Sequence, residues 1–495
     1  MRQTGLSGLV LAAIAAAGLI MGASISAQDS TAYEFLLDRE QVVARQEAFN
    51  DQLPYIRGEV LVKFRPGFGP AQQVRALSVV RGVQGTTRTR WIGDTLHVRA
   101  GAENDPEGLS EVLSRQPEIE WAHPNYFYRF QSVPNDPSYS RQWNLDLINM
   151  PSAWDITGTR SGAVTVAVID SGVTTTNASQ VFPLWTGTRI AFFSIPFRQN
   201  PDIGATRYGT SRDFVFWAGP VLDMDGHGTH VAGTVLQETN NGLGLAGVAS
   251  YARLMALKAC LSYWDLQILV SFFGIPGFVD PNNRGGCDTA AAVAAIRYAA
   301  DNGAQIINLS IGGPFPAPAY LDAIQYAVQR GVFVTIAGGN EFEQGNPIDY
   351  PAAYAGMVDG AMSVAAVNRS RGRAYYSNTG SHIEIAAPGG DVRDGGATGV
   401  IYQAGLFDPD FDPFTVVVPR FDRYYDQPQQ GTSMAAPHVA GVAALLYAQG
   451  ITNPAAIEAA IRRFAVDLGP QGRDNEYGFG LIDARAALRG LGVAR

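Results

Sequence analysis

The sequence contains only two cysteines, Cys260 and Cys287, among 495 residues. Two thiolates cannot supply the four ligands of a structural zinc site, so a cysteine-based zinc fold is excluded. If the protein is exported, two cysteines this close in the chain are predicted to form a disulfide, which stabilises a fold by roughly 3–4 kcal/mol through loop closure. Two free buried thiols remain the alternative.

Positive charge is also scarce. The chain has 36 lysines and arginines against 45 aspartates and glutamates, which gives a net charge of -9. This balance argues against the basic surface that nucleic-acid-binding proteins present, so no nucleic acid is expected as a partner. Only residues 9–21 form a long apolar run, and no later stretch is long and apolar enough to cross a membrane.

Residues 1–27 have the composition of a secretion signal. Arg2 supplies positive charge, an apolar run follows, and small residues lead up to Ala27. The apolar run is shorter than a membrane span requires, so removal of the segment is favoured over a membrane anchor. The mature protein is therefore predicted to be extracellular or periplasmic, and free of the membrane once the signal is removed.

Residues 28–130 contain a small α+β unit, whose globular part covers about residues 56–129. Strand-like and helix-like runs alternate in it, at residues 59–64, 71–83, 95–99 and 109–115. Residues 131–495 form a second, larger unit of another kind. Continuous β-branched runs such as 164–169 alternate there with alanine-rich helical stretches, which predicts βαβ units and a mainly parallel central sheet covered by helices.

Ser433 lies in the run GTSMAAPHVA at residues 431–440. A glycine-containing turn before an alanine-rich helix exposes a side-chain oxygen close to the positive end of the helix dipole. The run therefore predicts a nucleophile together with half of a site for a developing oxyanion.

An acid and a base occur in two earlier segments. Asp170 ends the strand-like AVID, and His227 lies between glycines in DGHGTH. His227 and His230 are three residues apart and lack the glutamate of a helical zinc motif, so metal binding is disfavoured. His230 is instead predicted to be a hydrogen-bonded structural residue.

The three segments, in the order Asp170, His227 and Ser433, resemble the catalytic motifs of subtilisin-like serine proteases, and the resemblance covers about residues 135–490. It implies a three-layer α/β fold and peptide hydrolysis through an acyl-enzyme intermediate. Asn340, in AGGN, resembles the second oxyanion donor of that family. An α/β-hydrolase esterase is disfavoured, because Ser433 lacks a GxSxG elbow and the residue order differs. A catalytically silent member of the family is disfavoured because all four catalytic positions are filled.

The same resemblance assigns the unit at residues 28–130 as a prodomain. It implies a preproprotein that processes itself, with the prodomain acting as an intramolecular inhibitor and chaperone. The expected partners are protein or peptide substrates, the expected oligomeric state is a monomer, and the chemistry requires no cofactor.

Two segments resemble the walls of the family's first specificity pocket, and they comprise Ser310, Ile311, Gly312, Ala337, Gly338 and Gly339. Asp349 lies near the expected pocket base. Pointing inward, it would favour lysine or arginine at the cleavage position; pointing to solvent, it would leave a pocket for bulky apolar residues. We favour the outward orientation, because insertions nearby make the alignment unsafe.

Residues around Asn241 and Leu243 resemble one of the family's calcium loops. The acidic ligand expected within residues 174–181 is missing, so structural calcium stays an open alternative. Two stretches, 261–286 and 390–430, read as insertions. The second is expected to form a hairpin with strands near residues 398–403 and 415–419.

Overall fold

The computed structural model describes residues 39–50, 53–79, 88–101, 105–127, 133–157, 164–216, 218–277, 279–280, 285–406 and 419–490. The predicted signal at residues 1–27 lies outside them. The chain divides into two compact units, Met1–Phe127 and Tyr128–Arg495. Within the described ranges, no helix has the length and apolar character needed to cross a membrane.

In its described residues, the first unit contains a four-stranded antiparallel sheet and three helices. Its strands run in the order β2-β3-β1-β4. Alternate residues of β1, including Val60 and Val62, are buried against Leu113 in its core. The elements are α1 (Arg39–Asn50), β1 (Tyr55–Phe64), α2 (Pro70–Leu77), β2 (Arg88–Ile92), β3 (Thr95–Arg99), α3 (Pro106–Ser114) and β4 (Ile119–Tyr126).

The second unit is built on a seven-stranded sheet in which all neighbouring strands are parallel, in the order β15-β14-β13-β12-β5-β9-β8. Every residue of the four strands from β12 to β15 is buried, as expected for a sheet covered by helices on both faces. These strands are β5 (Thr165–Asp170), β8 (Arg212–Asp213), β9 (Arg253–Lys258), β12 (Ile306–Leu309), β13 (Phe333–Ala337), β14 (Ala361–Val367) and β15 (Ile385–Pro388).

Two helices of this unit, α6 and α10, are buried over almost their whole length and pack against each other. Both begin beside the carboxyl ends of the strands, the edge where open α/β sheets place their functional groups. The helices are α4 (Trp143–Leu147), α5 (Met150–Thr157), α6 (His227–Leu236), α7 (Tyr263–Phe272), α8 (Thr289–Asp301), α9 (Pro318–Gln329), α10 (Thr432–Ala448), α11 (Pro454–Arg463) and α12 (Ala484–Arg489).

The described part of this unit also contains three two-stranded sheets, formed by β6 (Ala178–Trp185) with β7 (Ile190–Phe197), β10 (Cys260–Leu261) with β11 (Gly286–Cys287), and β16 (Ile401–Gly405) with β17 (Tyr425–Gln429). Cys260 lies opposite Cys287 in the second of them, and a disulfide joins the two residues, which confirms the predicted pairing. In the third, β16 pairs with residues 425–429, and most of the strand expected at 415–419 falls on residues that the structure does not describe. Residues 407–418 lie outside the described part of the chain.

Candidate active site

Asp170 and His227 meet at the carboxyl end of β5. Asp170 is the last residue of that strand, and His227 is the first residue of α6. A hydrogen bond of 2.7 Å joins His227 Nδ1 to Asp170 Oδ1. The Asp170 side chain is 2% exposed and that of His227 is 30% exposed. A buried carboxylate therefore orients an imidazole that stays accessible.

Glycines on both sides of His227 permit this approach. Gly226 has a φ of 100°, in the left-handed region that residues with a side chain rarely adopt. A Cβ on Gly228 would overlap the carbonyl oxygen of Gly172 in the loop after β5. Any larger residue at position 228 would therefore push α6 away from Asp170.

The loop after Asp170 is fixed by a short chain of hydrogen bonds. Ser171 Oγ accepts from the Gly228 amide at 2.9 Å and donates to Asp223 Oδ1 at 3.1 Å. The other oxygen of Asp223 accepts from the Thr229 amide at 3.0 Å, in the first turn of α6. The strand end and the helix start are thus tied to one buried carboxylate.

Lys258, the last residue of β9, lies fully buried beside the same loop. Its Nζ donates to the carbonyl oxygens of Ser171 at 2.7 Å and Leu222 at 3.2 Å, and to Asp265 Oδ2 at 2.8 Å. Burial lowers the pKa of Lys258, but Asp265 and neighbouring acids outweigh it and raise the pKa above its usual value. Sequence reasoning missed this pair, although a lysine ending an apolar strand was a signal.

The protonation of His227 depends on the acids around it. Burial lowers the pKa of His227, but the charge and the hydrogen bond of Asp170 act more strongly in the opposite direction. Asp225 and Asp223 add to them, and the pKa is raised to about 9. The neutral imidazole, which is the form able to accept a proton, therefore gains population on the alkaline side of neutrality.

Ser433 lies in the first turn of α10, against the segment that follows β12. Ser433 Oγ donates to the Ser310 carbonyl oxygen at 3.2 Å, and Ser310 Oγ donates to the Ser433 carbonyl oxygen at 2.8 Å. The side chains of Ser433 and His227 are both described, and no hydrogen bond joins Ser433 Oγ to the His227 ring. Such contacts are often long in ligand-free enzymes and shorten in the substrate complex.

Asn340 follows β13 and is held by the residue before the serine. Its Oδ1 accepts from the Thr432 amide at 2.8 Å and from Thr432 Oγ1 at 3.0 Å. With the oxygen engaged in this way, the Nδ2 group is the part of the carboxamide left to donate to a ligand. Sequence reasoning did not single out Thr432, whose place within the GTSMA run was the available signal.

The predicted pocket walls lie side by side. Ser310, Ile311 and Gly312 directly follow β12, while Ala337 ends β13 and leads into Gly338 and Gly339. Because β12 and β13 are adjacent parallel strands, the two segments leave the same edge of the sheet together.

Asp349 points inward, which corrects the orientation that we favoured from the sequence. Asp349 is 4% exposed, and its side chain lies between Gly312 and Gly339. Backbone pairing of Tyr350 with Gly313 holds it there, with amide-to-carbonyl distances of 2.8 and 2.9 Å. The sequence could not show this long-range pairing.

His230 has the structural role that its sequence predicts. Its Nε2 lies 3.2 Å from the Ile401 carbonyl oxygen and 3.1 Å from that of Gln427, so it donates to both strands of the β16–β17 hairpin. Burial lowers the pKa of His230 to about 3, with His227 acting in the same direction. The ring is therefore neutral.

The loop containing Asn241 and Leu243 does not fit a calcium cage. Asn241 Nδ2 donates to Asp202 Oδ1 at 2.7 Å, and Asn241 Oδ1 accepts from the Leu243 amide at 2.8 Å. The amides of Asn240 and Asn241 donate to Asp136 at 2.8 and 3.1 Å. N–H groups thus occupy the side-chain oxygens of Asn241, Asp202 and Asp136 that face this loop. Within the described ranges, no cluster of three or more His, Cys, Asp or Glu residues forms a metal site.

Three features of this unit are those of serine-type hydrolases. They are a parallel sheet covered by helices, an Asp–His pair at the carboxyl edge of its strands, and a serine at the start of a buried helix. Comparisons with known proteins narrow the class. The model of the Subtilase family matches residues 161–480. The chain belongs to this family.

Individual relatives agree. A thermophilic serine proteinase of Bacillus sp. (strain AK1) is 29% identical over 447 residues, covering 89% of this chain and 90% of that protein. Subtilisin BL of Lederbergia lenta is 31% identical over 360 residues, 72% of this chain and 100% of that protein. A solved protease structure from Pseudoalteromonas arctica PAMC 21717 covers 72% of this chain at 29% identity, with a TM-score of 0.52. The protein is a serine-type endopeptidase with the subtilisin-like three-layer fold that the sequence predicts.

Proposed function

We propose that the protein cleaves peptide bonds with Ser433 as nucleophile and His227 as general base. Asp170 holds the imidazole in the required tautomer and stabilises its protonated form. The observation that carries the proposal is the 2.7 Å contact between His227 and Asp170, at the same sheet edge from which Ser433 contacts the predicted substrate segment.

In the proposed reaction, His227 takes the proton of Ser433 Oγ as that oxygen attacks the substrate carbonyl carbon. The Ser433 amide and Asn340 Nδ2 donate hydrogen bonds that stabilise the negative charge developing on the carbonyl oxygen, and Thr432 fixes the direction of the Asn340 amide group. His227 then gives the proton to the leaving amine, and water hydrolyses the acyl-enzyme by the reverse sequence of proton transfers. Ser433 supplies the proton of the first step and water that of the second, and His227 carries each of them, so the proposed chemistry needs no cofactor.

We also propose how the precursor is organised. Residues 1–27 are a signal peptide removed on export to the periplasm or the extracellular space. Residues 28–130 are a prodomain that assists folding and inhibits the enzyme until it cuts itself free, and residues 131–495 are the catalytic domain. The support is the separate compact unit that ends at Phe127 and the extracellular proteases among the relatives. The mature enzyme is proposed to act on proteins or peptides as a monomer, without nucleic acid as a partner.

Casein hydrolysis by wild-type protein, by Ser433→Ala and by Ser381→Ala tests this function. Ser381 is an exposed serine of the same unit, so its variant controls for the substitution itself. We expect Ser433→Ala to lose activity and to keep its prodomain, and Ser381→Ala to behave as wild type. Full activity in Ser433→Ala would refute the nucleophile. Inactive wild-type protein that carries no prodomain would indicate a binding protein that shares the fold.

A further inference from the structure

A carboxylate is buried between the two predicted pocket walls. A Cβ placed on Gly312 would lie 2.8 Å from Asp349 Cγ, and one placed on Gly339 would lie 2.9 Å from Asp349 Cβ. The side chain of Asp349 thus fits against both walls at positions where only glycine leaves room for it. The carboxylate therefore lies between the two segments that the sequence predicts to be the pocket walls.

Among the residues that the structure describes, no cation compensates this carboxylate. Asp349 Oδ1 is buried and accepts no hydrogen bond, and within the described part of the chain no lysine or arginine pairs with the residue. A buried carboxylate without a partner is costly, and proteins keep one mainly where a ligand completes it.

The charged group that acts on Asp349 is also negative, so a cation bound here would be attracted by two carboxylates. Glu341, in the loop after β13, is the charged group whose field acts on Asp349. The side-chain amide of Asn378, which is neutral, also lies beside Gly339. The phenols of Tyr350 and Tyr354 pack together on the stretch after Asp349 and bring no positive charge.

We propose that Asp349 determines specificity and that the enzyme cleaves after lysine or arginine. The cationic side chain of the substrate would enter between the walls and form a charge-assisted pair with the carboxylate, which removes the uncompensated buried charge. This inference rests on the proposed peptidase function and names the substrate class of the same site.

The preference should depend on pH. Burial raises the pKa of Asp349 to about 8, with Glu341 acting in the same direction. Below that pH the acid is mostly neutral in the free enzyme, so a cationic side chain must displace a proton to gain the ion pair. Above that pH the carboxylate is already ionised. The advantage of arginine over an apolar residue therefore grows as pH rises through about 8.

Two peptide substrates that differ only in Arg or Phe at the cleaved position test the proposal. The measured quantity is the ratio of their kcat/KM values from about pH 6 to about pH 10, because the titration of the catalytic base is common to both and cancels. Asp349→Asn removes the charge while keeping the side chain's size. Asp322→Asn makes the same chemical change at an exposed position on α9 and serves as the control.

We expect wild type and Asp322→Asn to favour Arg, with a ratio that increases with pH. In Asp349→Asn we expect the ratio to fall roughly 10- to 100-fold, the range for loss of a hydrogen bond to a charged group, and to be independent of pH. Should this variant fail to mature, inhibition of wild-type enzyme by benzamidine replaces it, and inhibition should strengthen as pH rises through about 8.

A wild-type ratio that favours Phe and is unchanged in Asp349→Asn would overturn the proposal, as would benzamidine inhibition that does not change with pH. These outcomes differ from a failure of the proposed peptidase function, in which neither peptide would be cleaved by the wild-type protein.

Discussion

Replacing Asp265 by asparagine is expected to destabilise the second unit, Tyr128–Arg495, by about 3–5 kcal/mol, the usual cost of removing one partner from a buried ion pair. The side chains of Asp265 and Lys258 are both 0% exposed and lie 2.8 Å apart. The substitution preserves size and shape, so the loss would come from charge and not from a cavity.

The contacts of the carboxylate explain the size of the effect. Asp265 Oδ2 accepts from Lys258 Nζ, from the Ser262 amide and from Ser262 Oγ, each at 2.8 Å. Without the negative charge, Lys258 must remain protonated against two neutral carbonyl oxygens or give up its proton. Because 1 kcal/mol corresponds to roughly 2–4 °C in a domain of about 150–250 residues, the melting temperature should fall by roughly 6–20 °C, nearer the lower end for this larger unit.

Thermal unfolding should be measured in the Ser433→Ala background, so that self-digestion does not obscure the transition. The double variant Lys258→Met with Asp265→Leu serves as the matched control, because replacing both charges by apolar groups should restore most of the lost stability. If Asp265→Asn melts within about 1 °C of its parent, or if the double variant is less stable than the single one, the buried pair does not contribute as argued.

Three further predictions concern catalysis and metal binding. In Asp349→Asn, where His227 is the group expected to titrate in this range, kcat/KM on the Phe peptide should rise between about pH 7 and pH 9 as the imidazole loses its proton; a plateau already reached at pH 7 would show that its pKa is not raised. Thr432→Val should lower kcat up to about 10-fold with little change in KM, because the hydroxyl no longer fixes Asn340 Oδ1; an increase confined to KM would contradict this role. EDTA should leave the melting temperature unchanged, since N–H groups already satisfy Asp202 and Asp136; a fall that added calcium reverses would reveal a cage absent from this arrangement.

The strands of the main sheet could be predicted because a strand that is buried on both faces consists of a continuous run of apolar residues. Residues 164–169 and 332–337 show it plainly, and the structure has β5 and β13 there. By contrast, β17 reads Tyr-Asp-Gln-Pro-Gln, with neither an apolar run nor a regular alternation. Its pairing with β16 is what makes it a strand, and the sequence pattern could not reveal that partner.

The candidate site divides in the same way. Asp170, His227 and Ser433 could be singled out because each lies in a local run with a recognisable chemical purpose. The orientation of Asp349 could not be predicted, because it depends on the backbone pairing of its neighbour Tyr350 with Gly313, which is distant in the sequence. The Lys258–Asp265 pair was missed for a related reason, since neither residue carries a motif and their relation arises from the packing of α7 against the end of β9.

The β16–β17 hairpin is hydrogen-bonded to the helix α6, so the 390–430 stretch cannot be replaced without affecting that helix. His230, three residues after His227, donates to a carbonyl oxygen of each hairpin strand, and β17 ends two residues before Gly431. A hairpin taken from a relative must place a carbonyl oxygen of each strand beside the ring of His230. Otherwise the buried imidazole loses its hydrogen-bond acceptors, in the helix that begins with the proposed catalytic base. Diversification of this loop is therefore constrained from inside the enzyme, and position 230 and the hairpin are free to change only together.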